Sequence, residues 1–387
     1  MTTDPRVADR GTGATGGLPA RASTTRAGKP PVAPQTSGGT SVTRSPVAGV
    51  EVPFRMSAEP QTGAPSRPRR LPVRPAVVAV VLVALAAGAA WWLTRGDELA
   101  TLRGHVGPAR AVAFSPDGSV IASADDGTVR LWDTSTNRER FALAGHSGKV
   151  RAVAFGAPPV LASAGDDHTV RLWDWQTGMP LATLDGPTKA LECLAVSPDG
   201  GTVAAAGVDG LIYLWKTADR SRLPPLRGHA KHVHGLAFFP DGKSLASAGE
   251  DGSLRLWDWA KGAADGSLSV GPHHVHGIAV SSDGKVLAAA VSGSGVRRWS
   301  LPDRKELPVV EGAGMARGVA ISPDGRTLAT VHEDGTVKLW GGETGAALAT
   351  RRGHAKVVLG VAFAPDGATI ATAGSDGTVK RWAVPRR

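Results

Sequence analysis

The chain of 387 residues holds one cysteine, one tyrosine and only 5% aromatic residues. A lone thiol, Cys193, cannot close an intramolecular disulfide, and no CxxC or Cys/His zinc spacing occurs. These absences exclude a disulfide scaffold, a zinc finger and dithiol redox chemistry. Phosphate loops, dinucleotide fingerprints and nucleophile elbows are missing too. What is present is skewed. Gly (50) and Pro (28) demand many turns and few long helices, and 11 of the 19 aromatics are Trp.

The net charge of +10 is unevenly placed. Residues 1–74 carry 11 Arg or Lys against 4 Asp or Glu, which leaves only +3 for the remainder. A nucleic-acid-binding domain needs its charge on the fold, so the sequence gives no nucleic-acid partner. Residues 1–74, rich in Pro, Gly, Ser and Thr with Phe54 as the one aromatic, have too little apolar surface to fold, and a disordered tail is expected. Ser23-Thr24-Thr25-Arg26 is a candidate phosphorylation patch, but a solvated linker is the preferred interpretation.

Residues 76–93 (AVVAVVLVALAAGAAWWL) carry no charge over 18 residues, enough for roughly 27 Å of helix. A signal peptide would have a short leading region rather than 74 residues, and a core helix would be striped rather than apolar all round. A transmembrane helix over 75–94 is therefore expected, contacting the lipid bilayer through 76–93, with Trp91 and Trp92 at an interface. Arg67, Arg69, Arg70 and Arg74 precede it, while Arg95, Asp97, Glu98 and Arg103 nearly cancel after it. The positive-inside rule puts the tail in the cytoplasm and residues 98–387 outside, on a plasma or inner membrane.

From Glu98 onward the chain repeats. Trp132, Trp173, Trp215, Trp257, Trp299, Trp340 and Trp382 are 41, 42, 42, 42, 41 and 42 residues apart. In the first copy, Ala111–Phe114 is an apolar run, Ser-Pro-Asp-Gly (115–118) a turn, and Val120–Ser123 a second run. Asp125-Asp126-Gly127 is a second turn, Thr128–Trp132 a third run, and Phe141–Leu143 a more polar fourth. Four short strands in about 42 residues, apolar on both faces, describe a propeller blade. Pro-Asp-Gly turns or near variants recur at 116–118, 198–200, 240–242, 283–284, 323–325 and 365–367, and repeat two has Ala-Pro-Pro instead.

The Gly-His, Ser-Pro-Asp-Gly, Asp-Gly-Thr-Val-Arg-Leu-Trp and Trp-Asp elements resemble those of WD40-repeat proteins, over about residues 98–387. Trp-Asp itself survives at 132–133, 173–174 and 257–258. The resemblance implies an all-β fold, a seven-bladed WD40-type β-propeller, with strand 98–103 completing the last blade. It also implies a buried Trp–hydroxyl–imidazole–carboxylate tetrad inside blades. The expected sets are His105/Ser123/Asp126/Trp132, His146/Ser163/Asp167/Trp173, His229/Ser247/Asp251/Trp257 and His354/Thr372/Asp376/Trp382. Each could pass for a hydrolase triad, but four copies of one active site are implausible and four copies of one staple are not. Repeat three keeps only Asp209 and Trp215, with Pro187 and Ala205 elsewhere; repeat five (Gly271, Ala289, Gly293) keeps only Trp299. Repeat six lacks the histidine (Gly312) but has Thr330, Asp334 and Trp340, so blades three, five and six are expected to be less rigid.

Six of eleven histidines cluster in GHAKHVHG (His229, His232, His234) and PHHVHG (His273, His274, His276). No carboxylate or cysteine accompanies them at ligand spacing in the sequence, so no metal and no cofactor is assigned. One residue per repeat varies freely just before the first strand: Arg110, Arg151, Glu192, His234, His276, Arg317 and Leu359. The resemblance implies that these ring the mouth of the central channel. A second ring is expected from Asp125, Asp166, Val208, Glu250, Ser292, Glu333 and Ser375. Mixed charge at such a rim suits a protein or peptide partner. The expected function is a non-enzymatic, membrane-anchored binding scaffold. The alternatives are a sensor relaying to partners of the tail, and an enzyme using Glu192, His234 and His276.

Overall fold

The computed structural model describes residues 97–385; the expected tail over 1–74 and the apolar run at 76–93 lie outside the described residues. Among the described residues no helix is long and apolar enough to cross a membrane. They form seven four-stranded antiparallel sheets, the blades of a propeller. Blade one runs outward through Ala111–Phe114, Val120–Ala124, Thr128–Asp133 and Glu139–Ala144. The innermost strands of blades two to seven are Val150–Phe155, Leu191–Val196, Val233–Phe238, Val275–Val280, Ala316–Ile321 and Val358–Phe363. Each lies beside the next, and the seventh lies beside the first.

The local chemistry of one blade explains its path. The Ser115 hydroxyl donates to Asp117 at 2.6 Å, Asp117 accepts the Ser119 N–H at 3.0 Å, and Gly118 takes a φ of 71° that a side chain would resist. The chain then reverses into Val120–Ala124, in which every residue is buried. Burial on both faces explains the loss of apolar/polar alternation, and alanines at 122 and 124 let neighbouring sheets approach. Each apolar cluster is shared by adjacent blades. Val120, Leu131 and Leu143 of blade one, for instance, pack with Val150, Leu161 and Trp173 of blade two.

Toward the axis the strands crowd. The residue after each rim position is small: Ala111, Ala152, Cys193, Gly235, Gly277, Gly318 and Gly360. A Cβ on Gly360 would stand 3.2 Å from the Ala111 Cα and the Arg110 carbonyl of the adjacent blade. Cys193 belongs to this series. It is buried, and burial pushes its thiol well above the ordinary range, so it acts as a small apolar residue rather than a nucleophile.

Closure comes from strand Glu98–Arg103, which pairs antiparallel with Thr378–Ala383 as the outermost strand of blade seven. Leu102 is buried in the apolar cluster between blades seven and one. Lys380 Nζ donates to Glu98 Oε1 at 2.8 Å, and Asp97 pairs with Arg351 at 2.7 Å.

Candidate functional site

The buried polar groups inside the blades come first, because they resemble catalysis most. In blade two Trp173 Nε1 donates to Ser163 Oγ at 2.8 Å, Ser163 Oγ lies 2.8 Å from His146 Nε2, and His146 Nδ1 is 2.8 Å from Asp167. Blade four repeats this through Trp257, Ser247, His229 and Asp251 at 2.8, 2.7 and 3.1 Å. Blade seven does so through Trp382, Thr372, His354 and Asp376 at 2.9, 2.8 and 3.1 Å. The carboxylates also accept backbone N–H groups, those of Ser147, Ala230 and Ala355. Burial lowers the imidazoles of His146 and His229, outweighing their carboxylates, so they are neutral at pH 7. Every side chain of these three sets has a hydrogen-bond partner within its blade. These are staples that fix blade geometry.

Blade one departs from the expected set. The carboxylate beside His105 belongs to Asp125, not Asp126: His105 Nδ1 lies 2.9 Å from Asp125 Oδ2, and Asp125 is 2% exposed. Here the turn between the second and third strands is one residue shorter. Counting back from Trp132 therefore lands on Asp126, which instead meets Arg110 at 3.2 Å. His105 is thus still paired with a buried carboxylate, and burial, outweighing Asp125, lowers its imidazole from the ordinary value. The hydroxyl arm is intact, with Ser123 Oγ 2.6 Å from His105 Nε2 and accepting from Trp132 at 2.8 Å.

The rim residues owe their direction to a defect in pairing. In blades two to seven the innermost strand slips register at Arg151, Glu192, His234, His276, Arg317 and Leu359 respectively. A β-bulge leaves its extra residue out of the ladder and re-aims its side chain. Together with Arg110, these six line a funnel of about 290 Å³ at the mouth of the central channel. Three are held by the second ring of their own blade. Arg151 donates twice to Asp166, at 2.8 and 3.1 Å, Arg317 Nε donates to Glu333 at 2.8 Å, and His276 Nε2 lies 2.7 Å from Ser292 Oγ. Burial, then the charge of Arg317, pushes His276 down to about 4.

Blade three breaks this pattern. Its rim residue is Glu192, and its second-ring residue is the apolar Val208. Glu192 turns to blade four instead: its Oε2 lies 2.8 Å from His234 Nδ1 and 3.7 Å from His232 Nδ1. The carboxylate absent from the sequence neighbourhood of the histidines is thus supplied across a blade boundary. A second, Glu250, lies 3.9 Å from His232 and 3.8 Å from His274. Burial would raise the Glu192 carboxyl, but His234, His232 and Arg151 together hold it below its ordinary value. His229 takes no part, being committed to its tetrad.

The WD domain, G-beta repeat profile matches residues 96–133, 137–174, 178–216, 220–258, 306–341 and 345–383. The chain belongs to the WD40 family. Shorter likenesses accompany this. A stretch of 44 residues is 50% identical to "Serine-threonine kinase receptor-associated protein" of Gallus gallus, covering 11% of this chain and 13% of that one. The protein of the same name from Homo sapiens is 55% identical over 40 residues, 10% of this chain and 11% of its own. "Eukaryotic translation initiation factor 3 subunit I" of Aspergillus niger is 42% identical over 48 residues, 12% of this chain and 14% of its own. The matches thus span well under a fifth of these relatives. A WD40 propeller is a scaffold suited to protein interaction.

The WD40 match skips residues 259–305, which contain the first three strands of blade five. Here the tetrad residues are replaced, and a different device is present. Arg298 occupies the position of Leu131, Leu172, Leu214, Leu256 and Leu339, and it is fully buried. Its Nη1 donates to the carbonyls of Gly342 and Glu343 in blade six, and its Nη2 to that of Pro308 at 2.9 Å. Blades three and six keep internal networks from unexpected residues. In blade six His332 replaces the loop histidine: its Nε2 lies 2.7 Å from Thr330 Oγ1, which accepts from Trp340 at 2.9 Å. The exchange is reciprocal. His332 sits where blade seven has Gly374, whose added Cβ would come within 2.4 Å of His354 Nδ1, and blade six has Gly312 where blade seven has His354. In blade three the Tyr213 hydroxyl donates to Asp209 at 2.7 Å while its ring stacks on Trp215. A histidine two residues after the strand hydroxyl, facing a glycine in the loop, was the available signal for blade six.

Proposed function

We propose that the protein is a non-enzymatic scaffold that holds a protein or peptide partner at the mouth of its propeller, anchored to a membrane by residues 76–93. The observation that carries it is the ring of bulged positions. Six of the seven blades break their own ladder to turn one side chain into the same funnel, and the bulge persists although that side chain is basic, acidic, imidazole or apolar. Three arginines, a glutamate, two histidines and a leucine give a polar surface of mixed sign, suited to a folded partner or a peptide rather than a polyanion. The groups that would serve an enzyme are otherwise engaged: the Ser-His-Asp sets are buried staples, and His276 is bound to Ser292. The relatives' name, kinase receptor-associated protein, speaks of partner binding by those proteins and favours the same class here.

The uncharged 76–93 run, its four preceding arginines and its terminal tryptophans support a single span with the tail in the cytoplasm and the propeller outside. Two measurements test the proposal. A photo-crosslinking residue at position 151 or 359 is expected to capture a partner in intact cells, and one at 324, in a turn at the far end of the innermost strand, is not. Equal capture from both ends, or capture from 324 alone, would overturn the mouth as the binding face. Protease added to intact cells, with any outer membrane permeabilised, is expected to cut the propeller; protection until lysis would reverse the orientation.

A further inference from the structure

We propose that Glu192, His232 and His234 form a binding site for a divalent transition-metal cation, with zinc the best fit. One carboxylate oxygen and two imidazole nitrogens lie within 4.8 Å of one another at the boundary of blades three and four. Zinc takes such donors at about 2.0–2.2 Å in tetrahedral geometry, which places ligand atoms roughly 3.4 Å apart. The distances from Glu192 Oε2 to the two Nδ1 atoms, 2.8 and 3.7 Å, bracket that separation. Imidazole with carboxylate suits zinc better than calcium or magnesium, which take oxygen, or copper(I), which takes sulfur.

Three further observations point to a ligand. Glu192 Oε2 is buried and meets two imidazoles of the next blade, His234 Nδ1 at 2.8 Å and His232 Nδ1 at 3.7 Å. One carboxylate and two imidazoles thus converge on one small volume. The nearest guanidinium does not fill the role of the cation, since Arg151 is committed to Asp166 by two hydrogen bonds. The backbone is held as well: the Glu250 N–H donates to the His232 carbonyl at 2.8 Å, and Glu192 and His234 are the bulged residues of adjacent innermost strands. Glu250, 3.9 Å from His232 and 3.8 Å from His274, supplies outer negative charge. Three protein donors leave a fourth position for water.

The test is zinc uptake by the full chain, measured by equilibrium dialysis with zinc chloride alone. Residues 1–104 contain neither histidine nor cysteine, so the tail offers no imidazole or thiolate competitor. One saturable zinc per chain is expected, weakened at least ten-fold in Glu192→Gln and in His234→Ala and unchanged in His168→Asn, which alters an exposed histidine outside the cluster. Glu192→Gln is nearly isosteric, and an unchanged near-ultraviolet tryptophan spectrum will confirm its fold. No saturable uptake by the parent chain, or unchanged uptake by Glu192→Gln, would overturn the site.

Discussion

Blades four and five are neighbours with nearly the same entry loop, GHAKHVHG against PHHVHG, yet they are held in different ways. Blade four is stapled from within, through Trp257, Ser247, His229 and Asp251. Blade five has none of the last three equivalents and is tied by the buried Arg298 to the backbone of blade six. Both make the same four strands. The fold therefore follows from burying both faces of a sheet between neighbours, and polar networks choose how each unit is locked.

The strongest way to break this contrast is Asp251→Ala. It strands the imidazole of His229 and the N–H groups of Ala230 and Ser253, and is expected to cost about 3 kcal/mol in urea unfolding. A loss below about 1 kcal/mol would mean that the network is ornamental. Next is Arg298→Leu, which gives blade five the residue found in five of its six siblings but removes the donors to the carbonyls of Gly342 and Pro308. A loss of about 1–2 kcal/mol is expected, and a gain would show that blade five is held by apolar packing alone. His332→Ala in blade six should cost a similar 1–2 kcal/mol, since it leaves the Thr330 hydroxyl without its imidazole.

Proton linkage sharpens the comparison further. Burial, then Lys338, pushes His332 down to about 4, and His276 is likewise near 4. Between the ordinary histidine value of 6.5 and about 4, the unfolded chain binds protons that the folded chain refuses, so stability falls as pH drops through that window. His332→Gln should flatten the fall in a melting-temperature profile. Asp251, near 2, adds a second loss as pH falls from about 3.8 toward 2, absent in Asp251→Asn. The smallest effect expected is in hydrogen exchange, about ten-fold faster in Val286–Val291 of blade five than in Ser244–Gly249 of blade four. Equal protection would show that Arg298 substitutes fully for the staple.

What repeats was legible in the sequence: the tryptophan period and the turn motif are read directly from spacing, and the residues of three tetrads follow from the family resemblance those motifs carry. What failed to repeat was not. The one-residue deletion in the turn of blade one moved the carboxylate from Asp126 to Asp125, because counting from Trp132 assumes a constant turn. His332 and Tyr213 were missed because another strand position filled the space of the lost loop histidine. Blades three and six, expected to be less rigid, do keep internal hydrogen bonds from these residues, whereas blade five has none of the three polar equivalents of the tetrad. Glu192 and His234 are 42 positions apart, and only the curvature of the ring brings them together.

Strand Glu98–Arg103 is made before any blade, yet its partner Thr378–Ala383 is made after all of them, and Lys380 reaches Glu98 across 282 positions. At about 5–20 residues per second, synthesis leaves the earliest strand waiting tens of seconds for its mate. Six blades can fold in order as they emerge, whereas the seventh must recruit the segment that came first. A product truncated before residue 378 would lack the strand that Glu98–Arg103 pairs with and would leave two unmatched sheet edges, one at each side of the gap, open to pairing with other chains.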